Sequence, residues 1–149
     1  MIAVYAPPRA RLWLSSAWTG EERPPTIVMI EDDAGIADMY RRQLAIDGYR
    51  VLVAADGVSG LELVCSTRPN LVLLDVLLPE MEGFTVLQHI REDPALASVR
   101  VVVLSNYGEP DMMRRGMAAG AIDYLIKSST TPVQLSARVR RWLGSDTDD

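Results

Sequence analysis

Cysteine, histidine and phenylalanine each occur once in the 149 residues, as Cys65, His89 and Phe84. A lone cysteine excludes an internal disulfide and points to a reducing, cytoplasmic setting. Cys65 falls within an apolar helical pattern, so we expect it in the core rather than as a nucleophile. His89 lies inside a helical segment, away from the strand ends, where catalysis is not expected of it. No run approaches the roughly 20 uninterrupted apolar residues of a membrane span. Excess positive charge is missing too. Fifteen basic residues face 20 acidic ones, for a net charge of −5, which argues against direct nucleic-acid binding. Internal repeats and low-complexity tracts are absent. What is present, 48% hydrophobic and 23% charged residues over 149 positions, suits one globular domain with one core.

Residues 1–25 stand apart. Arginines and a Pro-Pro pair interrupt their apolar content, so no signal-peptide core forms. Pro24-Pro25 then separates them from the apolar run that begins at Thr26. We expect a flexible N-terminal extension, with Trp13, Leu14 and Trp18 as the side chains able to dock a partner or a second copy. The domain proper is expected at 26–143, and residues 144–149 form an acidic tail.

From Thr26 onward apolar runs alternate with helical patterns. Strands are expected at Thr26–Ile30, Arg50–Ala54, Leu71–Leu74, Arg100–Leu104 and Ile122–Ile126. Helices are expected from Asp33 or Ala34 to Asp47, at Gly57–Thr67, Phe84–Arg91 and Asp111–Ala119, and from Thr131-Pro132 to Leu143. Asp33 and Asp56 are placed as N-caps. Ile36, Met39, Tyr40, Gln43 and Leu44 form the inner face of the first helix; Val58, Leu61, Val64 and Cys65 form that of the second. The first, third and fourth strands are almost wholly apolar, as expected when both sheet faces are covered. Right-handed crossovers then give a three-layer α/β domain around a parallel sheet.

The polar residues fall where such a sheet binds ligands, beyond the carboxyl ends of its strands. Glu31 and Asp32 end the first strand, Asp75 the third, Ser105 the fourth and Lys127 the fifth. If the first strand lies between the second and third, these residues share one basin. Two unit charges about 4 Å apart repel by about 4 kcal/mol at an effective dielectric near 20. Lys127 offsets only part of that, and a hard divalent cation such as Mg²⁺ is the natural remedy. An aspartate so placed is a candidate nucleophile toward phosphorus, with the Lys127 ammonium and the Ser105 hydroxyl available to phosphoryl oxygens.

Taken in order, I-V-M-I-E31-D32-D33, L-V-L-L-D75-V-L-L-P79-E-M-E-G83, V-V-V-L-S105-N and A-G-A-I-D-Y124-L-I-K127 resemble a response-regulator receiver domain over residues 26–143. The resemblance implies a flavodoxin-like sheet in the order 2-1-3-4-5 with five helices. It implies Asp75 as phosphoacceptor from a histidine kinase or phosphotransfer protein. Glu31, Asp32, Asp75 and the Leu77 backbone carbonyl would hold Mg²⁺, with Lys127 and Ser105 as catalytic partners. Ser105 and Tyr124 would form the switch that remodels the surface of the fourth helix, fifth strand and fifth helix. That surface would meet an effector protein or a second copy. Such a module is a signalling protein and not a metabolic enzyme.

The sequence departs from the family pattern at three places. Ser128 follows the lysine where proline is usual, so a trans bond or a rearranged 127–131 loop is expected. Asn106 and Leu77 stand at positions that leave the phosphoryl lifetime open. Two other functions compete. A phosphatase with an aspartate nucleophile would want an acid where Leu77 stands and a substrate cap. A degenerate receiver would act as a phosphorylation-independent scaffold, which the intact Glu31, Asp32, Asp75, Ser105 and Lys127 set disfavours.

Overall fold

The computed structural model describes the backbone of residues 3–5 and the whole of residues 24–144. Its elements are β1 (Ala3–Tyr5), β2 (Thr26–Ile30), α1 (Ala34–Ile46), β3 (Arg50–Ala54), α2 (Gly57–Thr67), β4 (Leu71–Leu74), α3 (Gly83–Glu92), β5 (Arg100–Ser105), α4 (Pro110–Ala118), β6 (Asp123–Ile126) and α5 (Pro132–Gly144). Single 3₁₀ turns occupy Pro94–Leu96 and Lys127–Ser129. Among the described residues, no helix is long and apolar enough to cross a membrane.

The sheet runs β1-β3-β2-β4-β5-β6. The five strands from β2 onward are parallel and stand in the expected 2-1-3-4-5 order. Successive side chains on a strand point to opposite faces, and the core divides accordingly. Val28, Ile30, Val72, Leu74, Val101 and Val103 lie with α2 and α3 on one face. Ile27, Met29, Leu71, Leu73, Val102 and Leu104 lie with α1 and α5 on the other.

One strand was not expected. Ala3–Tyr5 pairs antiparallel with β3, Ala3 opposite Val53 and Tyr5 opposite Val51. Without it β3 would present an open row of backbone donors and acceptors. Residues 6–23, with Trp13, Leu14 and Trp18, and the tail 145–149 lie outside the described residues.

Helix faces needed correction in detail. In α1 the buried side is Ala37, Tyr40, Leu44 and Ala45, while Met39 is exposed. In α2, Cys65 and Val58 are exposed, and Leu63 and Val64 face the sheet. The cause is Gly60, where a Cβ would lie 2.5 Å from Ile30 Cδ1. The helix settles onto the sheet through that glycine and turns the residues beside it outward. The caps at Asp33 and Asp56 form as expected. Asp33 accepts from the Gly35 and Ile36 amides, and Asp56 from the Ser59 amide.

Candidate functional site

The register of the central strands assembles the site. Ile30 of β2 lies opposite Leu74 of β4, so the next residues, Glu31 and Asp75, leave the sheet side by side. The Asp75 amide donates to the Ile30 carbonyl (3.1 Å) and holds this pairing past the formal strand ends. Both side chains are buried, Glu31 at 5% and Asp75 at 7% exposure. Asp32 is exposed at the rim, and the three carboxylates bring ligand oxygens within 4.8 Å of one another. Asp33 takes no part in this cluster, because its carboxylate caps α1.

Lys127 enters from the end of β6. Its side chain, 7% exposed, places Nζ 2.5 Å from Glu31 Oε1 and 2.9 Å from Asp75 Oδ2. The remaining carboxylate oxygens have amide donors: Asp33 N–H to Glu31 Oε2 (3.0 Å) and Leu77 N–H to Asp75 Oδ1 (3.2 Å). Burial pushes the Glu31 carboxyl above its ordinary range, and the neighbouring Asp75 charge adds to this against the opposing pull of Lys127. Burial by itself would lower Lys127, but its bonds to Glu31 and Asp75 outweigh that and hold the ammonium above its usual value. The two directions agree physically, since one cation serves two buried anions.

This imbalance makes a prediction about the metal-free protein. Asp75→Asn removes one attraction but also two repulsions and the burial of a charge, while asparagine keeps one acceptor oxygen, for Lys127 or for Leu77. Its melting temperature is expected to rise by about 3 °C, corresponding to about 1 kcal/mol. Acid should act in the same direction on the wild type. A carboxyl whose folded-state pKa is raised binds its proton more readily folded than unfolded. The Glu31 contribution to stability therefore increases as pH falls from its raised value toward the ordinary 4.5. Thermal melts in chelator across this window read both effects, and a lower melting temperature for Asp75→Asn would contradict the crowding argument.

Ser105 and Tyr124 lie on the other side of the basin. Ser105 shares its face with Val101 and Val103, is fully buried, and accepts from the Tyr107 amide through Oγ (3.1 Å). The Tyr124 ring is buried in the same cluster, and its phenol donates to the Tyr107 carbonyl (2.5 Å). Burial raises the Tyr124 phenol pKa, so it stays a neutral donor. The Tyr107 peptide thus joins Ser105 to Tyr124, a link that sequence spacing did not reveal.

The loop after Lys127 keeps the trans bond expected for serine at 128. No peptide bond among the described residues is cis, and the chain goes directly into the Lys127–Ser129 turn. Thr130 N–H closes that turn on the Lys127 carbonyl (3.1 Å). Leu77 and Asn106 are exposed beside the basin. Two further site features escaped the sequence reading: the direct Glu31–Lys127 pair and the bond from Tyr40 to this loop. A signal for the first was in plain view, since Lys127 is the single lysine of the chain.

Comparison with known proteins gives concordant matches. Residues 27–140 match the family model for the response regulator receiver domain. The DNA-binding dual master transcriptional regulator RpaA of Synechocystis is 39% identical over 119 residues, covering 80% of this chain and 49% of its own length. The chain thus spans about half the length of the curated relatives it matches. A CheY-like response regulator receiver domain protein from Methanospirillum hungatei superposes with TM-score 0.75 at 27% identity, covering 80% of this chain and 94% of that one. The phosphorylated cyanobacterial phytochrome response regulator RcpA does so with TM-score 0.75 at 25% identity, covering 82% and 96%.

Proposed function

Because the chain belongs to the response regulator receiver domain family, we propose that it is a phosphoacceptor whose Asp75 receives a phosphoryl group in a magnesium-dependent reaction. The donor is a histidine kinase or a phosphotransfer protein, and the result is a switched protein-binding surface. One observation carries the reading: three carboxylates from two strand ends converge within 4.8 Å, and the ammonium of Lys127 joins the two buried ones. RcpA is a relative of this fold in phosphorylated form, which supports the assignment.

The donor set fits a hard cation, being oxygen only, with more negative charge than Lys127 neutralises. Glu31, Asp32 and Asp75 would hold Mg²⁺, with the Leu77 backbone carbonyl as a further ligand, and the bound ion would offset charge on the phosphoryl oxygens. The remaining work falls to the chain itself. An Asp75 carboxylate oxygen forms the new bond to phosphorus as the bond between phosphorus and the donor atom breaks, and the electron pair of that bond leaves with the donor. Lys127, already 2.9 Å from Asp75, turns an N–H toward a phosphoryl oxygen. The Ser105 hydroxyl swings toward another and gives up the Tyr107 amide. That frees the Tyr107 peptide, the acceptor for Tyr124, and carries the change to the face made by α4, β6 and α5.

Acetyl phosphate with Mg²⁺ should add one phosphoryl mass to the wild type and none to Asp75→Asn. Mass spectrometry of intact protein decides it, and equal labelling of the two proteins would remove Asp75 from this role.

A further inference from the structure

Tyr40 is a buried side chain that this mechanism leaves unused. It sits on α1 at 1% exposure, among Ile27, Met29 and Leu125 on the α1–α5 side of the sheet. Its ring completes the apolar stripe of the helix, which a phenylalanine would also do. The hydroxyl does something else. It donates to the Thr130 carbonyl at 2.7 Å, with the Lys127 carbonyl a second, weaker acceptor at 3.4 Å. Those two carbonyls bracket the turn that carries Lys127. Burial raises the phenol pKa, so the group remains a donor throughout the range in which the protein functions.

The contacts form a closed ring. α1 starts just after Glu31 and Asp32, with Asp33 as its cap. Two turns along, Tyr40 grips the loop of Lys127, and Lys127 Nζ returns to Glu31. The acids and the lysine are therefore referenced to one rigid helix. The loop needs this reference, because Ser128 leaves the backbone after the lysine free to rotate where a proline ring would fix it. Besides Tyr40, the turn is held by local bonds: Thr130 N–H to the Lys127 carbonyl and Thr130 Oγ1 to the Ile126 carbonyl (2.8 Å). These bonds shape the turn without anchoring it to the acid pair. We infer that Tyr40 is a positioning residue for phosphoryl transfer, acting through its hydroxyl on the Lys127 loop to set the lysine against Asp75 and the incoming phosphoryl group.

The inference rests on the phosphoacceptor reading, and two measurements keep the failures of the two apart. The first is a double-mutant cycle on the rate of labelling by acetyl phosphate. Tyr40→Phe removes one oxygen, keeps the ring in place, and is expected to slow labelling about fivefold. In a Lys127→Ala background, with labelling monitored over hours, the same change should alter the rate by less than about 1.5-fold, since the group it positions is gone. A purely structural role would give the same loss in both backgrounds and overturn the proposal. The second measurement needs no phosphorylation. With a single lysine in the chain, its ¹⁵Nζ signal in a heteronuclear NMR spectrum is assigned without ambiguity. Tyr40→Phe should speed proton exchange from that ammonium at least about threefold, as the lysine loosens from its carboxylates. Unchanged exchange overturns the proposal even if labelling slows. If the wild type accepts no phosphoryl group, the phosphoacceptor reading fails, and the NMR comparison still decides whether Tyr40 holds Lys127.

Discussion

Lys127→Ala is expected to lower labelling of Asp75 by at least about 100-fold and the melting temperature in chelator by about 10 °C. Both effects come from one atom. Nζ supplies the ammonium that lies 2.5 Å from Glu31 and 2.9 Å from Asp75, with every partner at least nine-tenths buried. Removing one member of a buried pair leaves the other charge uncompensated, which costs about 3–5 kcal/mol. Here a single deletion strands two anions. For a domain of this size that is roughly 2–4 °C per kcal/mol, hence the expected fall. The loss of rate has a separate origin. A fixed donor aimed at developing negative charge is worth about 10²–10³ in rate, and the chain has no second lysine to replace it. Millimolar Mg²⁺ should narrow the stability deficit by binding the folded state without restoring the rate. This mutation and Asp75→Asn make a matched pair. Deleting the cation destabilises, and deleting an anion stabilises, so calorimetry in chelator on both variants tests the sign of the net charge in the basin. A Lys127→Ala protein with a wild-type melting temperature and wild-type labelling would remove the lysine from the site altogether.

The sequence carried the parallel sheet because its central strands are nearly continuous apolar runs, which read the same whichever face is inward. It carried Glu31, Asp32, Asp75, Ser105 and Lys127 because a polar residue at the end of such a run has only one place to go. Other features depend on facts that periodicity does not encode. Three residues, Ala3–Tyr5, are too few to show a strand period, and only the open edge of β3 tells them where to pair. The rotation of α2 stems from one small residue, Gly60, meeting Ile30. A Val-Leu-Val-Cys pattern cannot announce that its glycine neighbour will take the contact. The Glu31–Lys127 pair joins residues 96 positions apart, a contact that only the assembled sheet creates. Tyr40 was read as a core residue and is one, but its role lies in the terminal oxygen, which an apolar stripe does not distinguish from the end of a phenylalanine.

Gly83→Ala should show how closely Asp75 is held by backbone alone. On helix propensity, the change ought to help. Gly83 opens α3, and alanine is favoured over glycine in helices by about 1 kcal/mol. Packing points the other way. An added Cβ would lie 2.1 Å from the Asp75 carbonyl oxygen and 2.6 Å from Val76 Cα. Both are main-chain atoms, so no side chain can swing aside to make room. The Gly83 amide also donates to the Val76 carbonyl at 2.9 Å, which ties the helix start to the peptide just after Asp75. Relief requires α3 and the end of β4 to separate by about an ångström, breaking that bond and moving the Asp75 carboxylate away from Lys127. Overpacking against rigid surroundings costs about 1–3 kcal/mol, to which the strained bond adds about 1 kcal/mol, so the clash outweighs the propensity gain. We expect a net loss of about 1–3 kcal/mol in urea unfolding. Labelling should fall further than that loss of stability can explain, about 30-fold in protein that remains folded, since a displacement of about 1 Å at reacting groups costs up to about 100-fold. The comparison between the two readouts carries the test. A lower stability with a normal labelling rate would mean that the Asp75 carboxylate is not placed by the approach of α3, and a stabilised protein would mean that the loop from Asp75 to Gly83 yields where the geometry says it cannot.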